Sequence, residues 1–314
     1  MNAPLTTETG TPVDDALLAS WPLPEPSPEG DKEERGRILL VGGSSQMPGA
    51  IMLAAIAALR AGAGKLTVAT SHTVASMVAA HLPEARVIAL DKTRQGQLAP
   101  GELQRCIEPL AAQVDALVIG PGCETGAALL DDIAAILPAF QKAAVVLDAG
   151  AMEVVRHQVR GGSEDADAKA RWPTVLLTPH AGEMAHLTGL SKEVIQADPA
   201  AILQRVSRQW NAVIALKGAC TRLRHPDGRC WLHRDGNSGL GTSGSGDTLA
   251  GIIGGLAARG ASLEQAAVWG VALHARAGEA LARRFGPLGY LARELSAEVP
   301  RLMHAARITP AGPT

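Results

Sequence analysis

The sequence GNSGLGTSGSGDTLAGIIGG, residues 236–255, joins a glycine- and serine-rich loop to the start of an apolar segment. Glycine lacks a Cβ, so it adopts backbone angles closed to other residues and lets a ligand approach the chain closely. The apolar residues from Thr248 onward predict a buried helix. The first N–H groups of a helix have no intrahelical partner and carry the positive end of its dipole, so this junction predicts an anion site.

Asp247 lies at the junction of loop and helix. A carboxylate beside an anion site can take a proton from a hydroxyl while the site neutralises charge that develops on phosphate. This combination is typical of phosphoryl transfer to an alcohol. The alternative is that Asp247 only caps the helix, as aspartate often does. Four glycines and three hydroxyl residues within residues 239–246 favour the catalytic role.

Composition narrows the class of protein. Lys plus Arg number 29 and Asp plus Glu number 31 among 314 residues, so the net charge of −2 does not favour a nucleic-acid or membrane-surface binder. Aromatic residues make up only 3%, too few for a base-stacking platform. The cysteines show no metal-ligand spacing. We find no signal peptide and no apolar run long enough for a membrane span, and therefore expect a cytoplasmic protein.

Short apolar runs alternate with helical patterns along most of the chain, which predicts an α/β fold with a mostly parallel central sheet covered on both faces. We expect a proline-rich, extended N-terminal arm over residues 1–35, one domain over 36–305 and a tail over 306–314. A polar surface loop is expected at 160–170. The strands are predicted at 37–41, 66–70, 87–90, 116–119, 144–147, 175–177 and 213–216, followed by a hairpin of 221–224 and 230–233.

In such a sheet, ligands bind beyond the carboxyl ends of the strands. The segments that leave the predicted strands are therefore candidate binding loops. They are Gly42-Gly43-Ser44, Gly120-Pro121-Gly122, Asp148-Ala149-Gly150, Thr178-Pro179-His180 and Lys217-Gly218.

Taken together, these motifs resemble one family, the ADP/ATP-dependent NAD(P)H-hydrate dehydratases of the ribokinase-like superfamily. The resemblance covers residues 36–285 and is specific as a set, although each motif alone is weak. Its stretches are GRILLVGGSSQMPGAIMLAAIAALRAGAGKLTVAT (36–70), VIGPG (118–122), VVLDAGAM (145–152), LLTPHAGEMAHLTG (176–189), ALKGACT (215–221) and GNSGLGTSGSGDTLAGIIGGLAARG (236–260).

The resemblance implies a three-layer α/β/α fold and repair of a damaged nicotinamide cofactor. Hydrated NADH or NADPH carries an extra ring hydroxyl. The enzyme would phosphorylate the S epimer on that hydroxyl with ADP or ATP and magnesium, and phosphate would then leave with help from the ring nitrogen. The resemblance also implies a homotetramer. Residues 1–35 are too short for the epimerase domain that many members carry, so we expect a separate epimerase.

The resemblance also implies roles for individual residues. Asp247 would be the base that deprotonates the ring hydroxyl, and it would contact the substrate. The N–H groups of Gly244, Ser245 and Gly246 would form the anion hole. Glu183 would hold magnesium through water. The adenine-nucleotide site would comprise Lys217, Gly218, Ala219, Cys220, Thr221 and Gly246. The hydrated cofactor would contact Ala50, Gly122 and His180.

Each assignment has a structural alternative. Lys217 could be a solvated strand-end lysine, and His180 could only bond backbone near a helix start. Gly150 stands where family members usually carry an acidic residue.

Two other functions stay open: a small-molecule kinase of the same superfamily acting on a vitamin-precursor alcohol, and a nucleotide sensor without turnover. The kinase would release a stable phosphoester, and the dehydratase would release phosphate.

Overall fold

The computed structural model describes residues 10–25, 27, 29, 31–94, 97–156 and 172–308. The predicted surface loop at 160–170 and residues 309–314 of the predicted tail lie outside the described residues. The strands are β1 Thr11–Pro12, β2 Arg37–Val41, β3 Lys65–Ser71, β4 Ala85–Leu90, β5 Ala116–Ile119, β6 Ala144–Leu147, β7 Val175–Leu177, β8 Ala212–Leu216, β9 Thr221–Arg224 and β10 Cys230–His233.

The helices alternate with the strands, as the sequence predicts. They are α1 Asp15–Ser20, α2 Pro48–Arg60, α3 His72–His81, α4 Glu102–Cys106, α5 Ala127–Ile136, α6 Ala181–Thr188, α7 Lys192–Ala197, α8 Pro199–Gln209, α9 Ser245–Ala258, α10 Leu263–Phe285 and α11 Ala292–Ile308. Short 3-10 helices cover Glu108–Gln113, Leu137–Phe140, Ala149–Val154 and Ser238–Leu240.

The described strands form one sheet in the order β1-β10-β9-β8-β7-β6-β5-β2-β3-β4. Pairing is parallel from β4 through to β8, whereas β9 runs antiparallel to both of its neighbours, β8 and β10. All four residues of β5 are buried, as expected for a parallel strand covered on both faces. The predicted α/β fold with a mostly parallel sheet is therefore confirmed.

Alternate residues of the central strands enter two apolar cores on opposite faces of the sheet. Val118 of β5 packs into the core formed with α2, α9 and α10, whereas Leu117 and Ile119 enter the core formed with α5, α6 and α8. The sheet is thus the middle of three layers. Its carboxyl edge is left free for the loops that carry chemistry.

Glycines in α9 explain how this helix packs so closely on α2. A Cβ at Gly251 would lie 2.1 Å from the carbonyl oxygen of Ala54, and one at Gly255 would lie 2.4 Å from that of Ala58. These separations are too short for any side chain, so the two helix backbones touch directly. The contact holds the middle and carboxyl half of α9 against α2.

The N-terminal segment differs from the expected extended arm with little core of its own. β1 pairs in parallel with β10, and Val13, Leu18 and Leu23 are buried in the core. The Trp21 ring stacks on Trp231 with 5.9 Å between ring centroids. This segment therefore covers the edge of the sheet that the hairpin would otherwise expose, which removes a free strand edge.

Two helices depart from a simple reading of the sequence. The helical pattern over residues 102–113 predicts one helix, but α4 ends at Cys106 and a 3-10 helix begins at Glu108, because Pro109 lacks the N–H that would continue the helical hydrogen bonds. Helix α7 was not predicted, although Ser191 caps it by accepting the Val194 N–H. Among the described residues, no helix combines the length and apolarity needed to cross a bilayer.

Candidate active site

The loops at the carboxyl ends of β7 and β8 and the loop before α9 surround a cavity of about 690 Å³. The amino end of α9 closes one side of this cavity, and α10 forms another wall. The lining residues include Lys217, Gly218, Ala219, Thr221, Ser245 and Gly246. The cavity therefore lies where the organisation of a parallel sheet predicts a ligand site.

Gly244 directly precedes α9 and lies in the left-handed region, with φ of 87°. A Cβ there would also lie 2.5 Å from a methyl carbon of Leu53, so both backbone conformation and space require glycine. The Thr248 N–H donates to the Gly244 carbonyl at 3.0 Å, which closes the first turn of the helix. This turn directs the preceding N–H groups away from the helix body.

The predicted anion hole is only partly free. The Ser245 N–H donates to the Thr242 carbonyl at 3.2 Å. The N–H groups of Gly244 and Gly246 have no partner among the described residues, so these two can bind an anion.

Asp247 follows Gly246 in the first turn of α9. Burial raises the pKa of its carboxyl from 3.8 to about 6, and the neighbouring Asp148 carboxylate adds to the rise, while the Lys217 ammonium opposes it. Asp247 does not itself line the cavity, but it follows the lining residue Gly246 and lies near Asp148 and Lys217. A carboxylate with a pKa near the working pH is suited to accept a proton from a hydroxyl.

Lys217 lies between the carboxylates of Asp148, which follows β6, and Glu183, in the first turn of α6. Its ammonium nitrogen is 3.9 Å from Asp148 Oδ1 and 3.8 Å from Glu183 Oε2. Asp148 is buried, and the Thr178 hydroxyl donates to it at 2.5 Å. Both ion pairs exceed hydrogen-bond length, so the lysine can move toward a bound anion without breaking a short contact.

His180 and Glu183 form a reciprocal cap at the start of α6. The N–H groups of Gly182 and Glu183 donate to His180 Nδ1 at 3.0 and 3.1 Å, and the His180 N–H donates to Glu183 Oε2 at 2.7 Å. Because Nδ1 accepts both bonds, the proton of the neutral ring is on Nε2. The alternative backbone role of His180 is thus present, although the residue also lines the cavity, and its Nε2 lies 3.6 Å from Glu183 Oε2.

Ala50 and Gly122, both predicted to contact the hydrated cofactor, lie against each other. A Cβ at Gly122 would be 2.8 Å from the Ala50 Cβ and 2.6 Å from the Met47 carbonyl oxygen. Gly122 also has φ of 69°, which a side chain would strain. The structure therefore brings the start of α2 and the loop after β5 together, as a shared binding surface would require.

Not every predicted site residue reaches the cavity wall. His180, Lys217, Gly218, Ala219, Thr221, Ser245 and Gly246 line it. Gly244, Asp247, Cys220, Glu183, Ala50 and Gly122 do not. Asp247 and Glu183 nevertheless face the Lys217 ammonium. Among the described residues, no three His, Cys, Asp or Glu side chains group together as a metal-binding cluster.

A family model described as NAD(P)H-hydrate dehydratase matches residues 38–301. The chain belongs to the NAD(P)H-hydrate dehydratase family. This confirms the resemblance that the sequence motifs carry.

Relatives of this NAD(P)H-hydrate dehydratase family member match over nearly its full length. The ADP-dependent (S)-NAD(P)H-hydrate dehydratase of Xanthomonas campestris pv. campestris is 47% identical over 290 residues, or 92% of this chain and 94% of the relative. The Bacillus subtilis ADP/ATP-dependent NAD(P)H-hydrate dehydratase, co-crystallised with ATP/Mg²⁺, is 31% identical with a TM-score of 0.78, covering 95% of this chain and 99% of that one. A ribokinase-like superfamily protein from Enterococcus faecalis V583 is 26% identical with a TM-score of 0.79, covering 97% and 99%.

Several polar residues around the cavity of this family member were not predicted. His274, on α10, is hydrogen-bonded to Ser245, and His233 at the end of β10 is buried in the cavity wall. Asn237 accepts from the Tyr290 hydroxyl at 2.8 Å. The histidines lie in apolar stretches without a motif, so no local signal marks them. Asp148 did carry a signal, since it ends a predicted strand.

Proposed function

We propose that this chain is an ADP-dependent (S)-NAD(P)H-hydrate dehydratase, a hydro-lyase that restores NADH and NADPH. The observation that carries the proposal is the placement of the Asp247 carboxyl, with its pKa raised to about 6, beside free helix N–H groups and the Lys217 ammonium. A base and an anion site thus lie together, as phosphoryl transfer to a hydroxyl requires. The 47% identity to the dehydratase of Xanthomonas campestris pv. campestris supports the same reaction.

The nucleotide side of the proposed site is the cavity next to β8. Its volume of about 690 Å³ falls within the usual range for small-molecule sites. Lys217 would move from its two carboxylates to the terminal phosphate, and the N–H of Gly246 would bind the same group. The adenine nucleotide would also contact Gly218, Ala219, Cys220 and Thr221. We propose ADP as the donor, with ATP as the alternative.

The substrate side of the proposed site is formed by Ala50, Gly122 and His180. The close contact of Ala50 with Gly122 brings the start of α2 against the loop after β5, and the ring would lie against this paired backbone. The Nε2–H of His180 is a donor for a carbonyl or phosphate oxygen of the hydrated cofactor. These contacts would present the ring hydroxyl to Asp247.

The proposed reaction has two stages. Asp247 accepts the proton of the ring hydroxyl, the hydroxyl oxygen bonds to the terminal phosphorus of ADP, and AMP leaves. The lone pair of the ring nitrogen then helps to break the carbon–oxygen bond, phosphate leaves, and loss of a proton from the adjacent carbon restores the double bond. Phosphate is a better leaving group than hydroxide, so the nucleotide makes dehydration possible.

The residues present fit a magnesium ion held largely through water. Magnesium keeps several waters and takes few protein ligands, so a cluster of three ligating side chains is not needed. Glu183 and Asp148 would hold those waters, since both carboxylates lie within 4 Å of the Lys217 ammonium, which would bind the terminal phosphate. When bound, magnesium would neutralise charge on the nucleotide phosphates.

A site selective for the S epimer does not act on the R epimer. A separate epimerase would therefore convert the R epimer into the S epimer. We propose that the protein is cytoplasmic and forms a homotetramer. Light scattering of the purified protein measures the number of subunits.

The test of the function uses purified protein with hydrated NADH, ADP and magnesium. Reduced-nicotinamide absorbance and free phosphate should appear together and in equal amounts. Omitting ADP should abolish both signals, and Asp247→Asn should slow both by about 10²–10⁴. A stable phosphoester without released phosphate would instead identify a kinase, and nucleotide binding without turnover would identify a sensor.

A further inference from the structure

His274 is a buried polar residue for which the proposed reaction has no task. It lies on α10 with 9% of its surface exposed, and it contacts the first residue of α9 across the cavity wall. Its Nε2 is 3.1 Å from the Ser245 carbonyl oxygen and 2.9 Å from the Ser245 hydroxyl oxygen. One ring nitrogen thus faces two oxygens of a single residue.

The chemistry of these oxygens fixes the position of the ring proton. A carbonyl oxygen only accepts, so a hydrogen bond to it assigns the ring proton to Nε2, which is the tautomer that the inference below uses and tests. The same N–H is shared with the Ser245 hydroxyl oxygen, which then acts as an acceptor. The hydroxyl must therefore donate its own proton elsewhere, and among the described residues no other group accepts it.

The ring stays neutral in this position. Burial lowers the pKa of His274 to about 4, and the nearby Lys217 ammonium and His233 also disfavour a positive ring. A neutral ring with its proton on Nε2 leaves Nδ1 bare. The orientation of the Ser245 hydroxyl is thus set by a histidine that does not change charge near neutral pH.

The direction left to the Ser245 proton is the cavity. Ser245 lines it together with Lys217, Thr221 and Gly246, and its side chain is almost fully buried. Its N–H already donates to Thr242, so the hydroxyl is its available donor. A hydroxyl donor next to an ammonium and free N–H groups suits a phosphate oxygen.

We propose that His274 is a positioning residue that holds the Ser245 hydroxyl so that it donates its proton to a phosphate oxygen of the bound adenine nucleotide. The inference rests on the nucleotide site of the proposed function, but not on the dehydration itself. Ser245 makes the contact, and His274 acts only through Ser245.

The first test reads the ring directly. The imidazole ¹⁵N spectrum of the full chain, with the His274 signals assigned by their loss in His274→Gln, should show a protonated Nε2 and a bare Nδ1 at pH 7. Adding ADP should leave this tautomer unchanged. A proton on Nδ1 would overturn the proposal, whether or not the protein dehydrates hydrated NADH.

The second test measures ADP binding by calorimetry in four variants. Ser245→Ala and His274→Phe should each weaken ADP about tenfold, the typical value of one hydrogen bond to a charged group. The double variant should be no weaker than either single one, because both remove the same donor. His274→Gln should bind nearly as the unmodified chain does, since its amide N–H can reach the same oxygens.

The control is Ser296→Ala, which removes a buried hydroxyl from α11 that donates to the Arg293 carbonyl. It should leave ADP affinity unchanged. Normal affinity in folded His274→Phe, or effects that multiply in the double variant, would contradict the proposal. If His274→Phe does not fold, His274→Gln and the ¹⁵N spectrum decide. ADP binding with these ratios but no dehydration would refute only the proposed function.

Discussion

The ammonium nitrogen of Lys217 lies 3.3 Å from the position that a Cβ would take at Gly246. A strand-end side chain is thus held against the first turn of α9, where the free N–H groups converge. Gly246 has no unusual backbone angle, so the Lys217 ammonium is what limits the space for a side chain there. A methyl group at this position would shift the ammonium away from the first turn of α9.

Gly246→Ala should therefore weaken ADP binding about tenfold while leaving the fold at least as stable. Alanine favours a helix over glycine by roughly 1 kcal/mol, so the melting temperature should stay level or rise. Calorimetry with ADP and a thermal melt measure the two effects. Gly49→Ala is the matched control, because it changes the same position of α2 with nothing within 4 Å. Equal ADP affinity in both variants would contradict the placement of Lys217.

Asp247→Asn should lower kcat by about 10²–10⁴, the usual contribution of a general base. The amide has nearly the same shape but cannot accept the hydroxyl proton. ADP affinity should change little, since the N–H groups and Lys217 remain. Steady-state kinetics with hydrated NADH and calorimetry with ADP separate the two quantities. Turnover close to that of the unmodified chain would show that another group is the base.

The acidic limb of the pH profile should also report Asp247. Its carboxyl must be ionised to accept a proton, so kcat/KM should fall about tenfold per pH unit below pH 6. Asp148→Asn removes a negative charge that raises the pKa of Asp247, so the limb should move about 1 pH unit toward acid. A limb that stays in place in Asp148→Asn would assign it to a different group.

Much of the fold follows from local sequence. The hairpin of β9 and β10 has the predicted bounds because Pro226-Asp227-Gly228 forces a turn between two short strands. The short apolar runs indicated the parallel strands, because a strand buried on both faces needs no alternation. The glycine-rich loop, followed directly by apolar residues, indicated the amino end of α9.

Long-range contacts could not be predicted in this way. Trp21 lies in a polar, proline-rich segment, and its carbonyl accepts from Trp269 and Gln265, more than 240 residues away. His274 acquires its task only when α10 packs against the start of α9. The Ser245 N–H, predicted to bind the anion, donates instead to Thr242 because a turn precedes the helix. Pairings of this kind depend on the folded arrangement.

Gly150, where the family usually carries an acidic residue, has no room for a side chain because Thr125 fills the space beside it. A Cβ there would lie 1.9 Å from the Thr125 methyl carbon. Gly150→Ala should therefore cost about 1–3 kcal/mol in the free energy of unfolding. Thr125→Ala removes the methyl, so the double variant should recover most of that loss. Urea unfolding of the three variants measures the coupling, and additive effects would place the strain elsewhere.

The buried carboxyl of Asp247 should also lower the free energy of unfolding at neutral pH. Its carboxyl has a pKa of about 6 in the fold, against an ordinary value of 3.8 for an exposed aspartate. Since the folded pKa is the higher one, the ionised form is disfavoured in the fold, and stability falls as pH rises from about 4 to 6 and then levels off.

Each pKa unit corresponds to about 1.4 kcal/mol, so Asp247→Asn should stabilise the chain by up to about 3 kcal/mol at pH 7. The gain should vanish near about pH 3.5, where the carboxyl is largely protonated in both states. Urea unfolding at several pH values measures it, with Asp131→Asn on the exposed surface of α5 as the control. A variant less stable than the unmodified chain at pH 7 would mean that the carboxylate is held by contacts stronger than its desolvation.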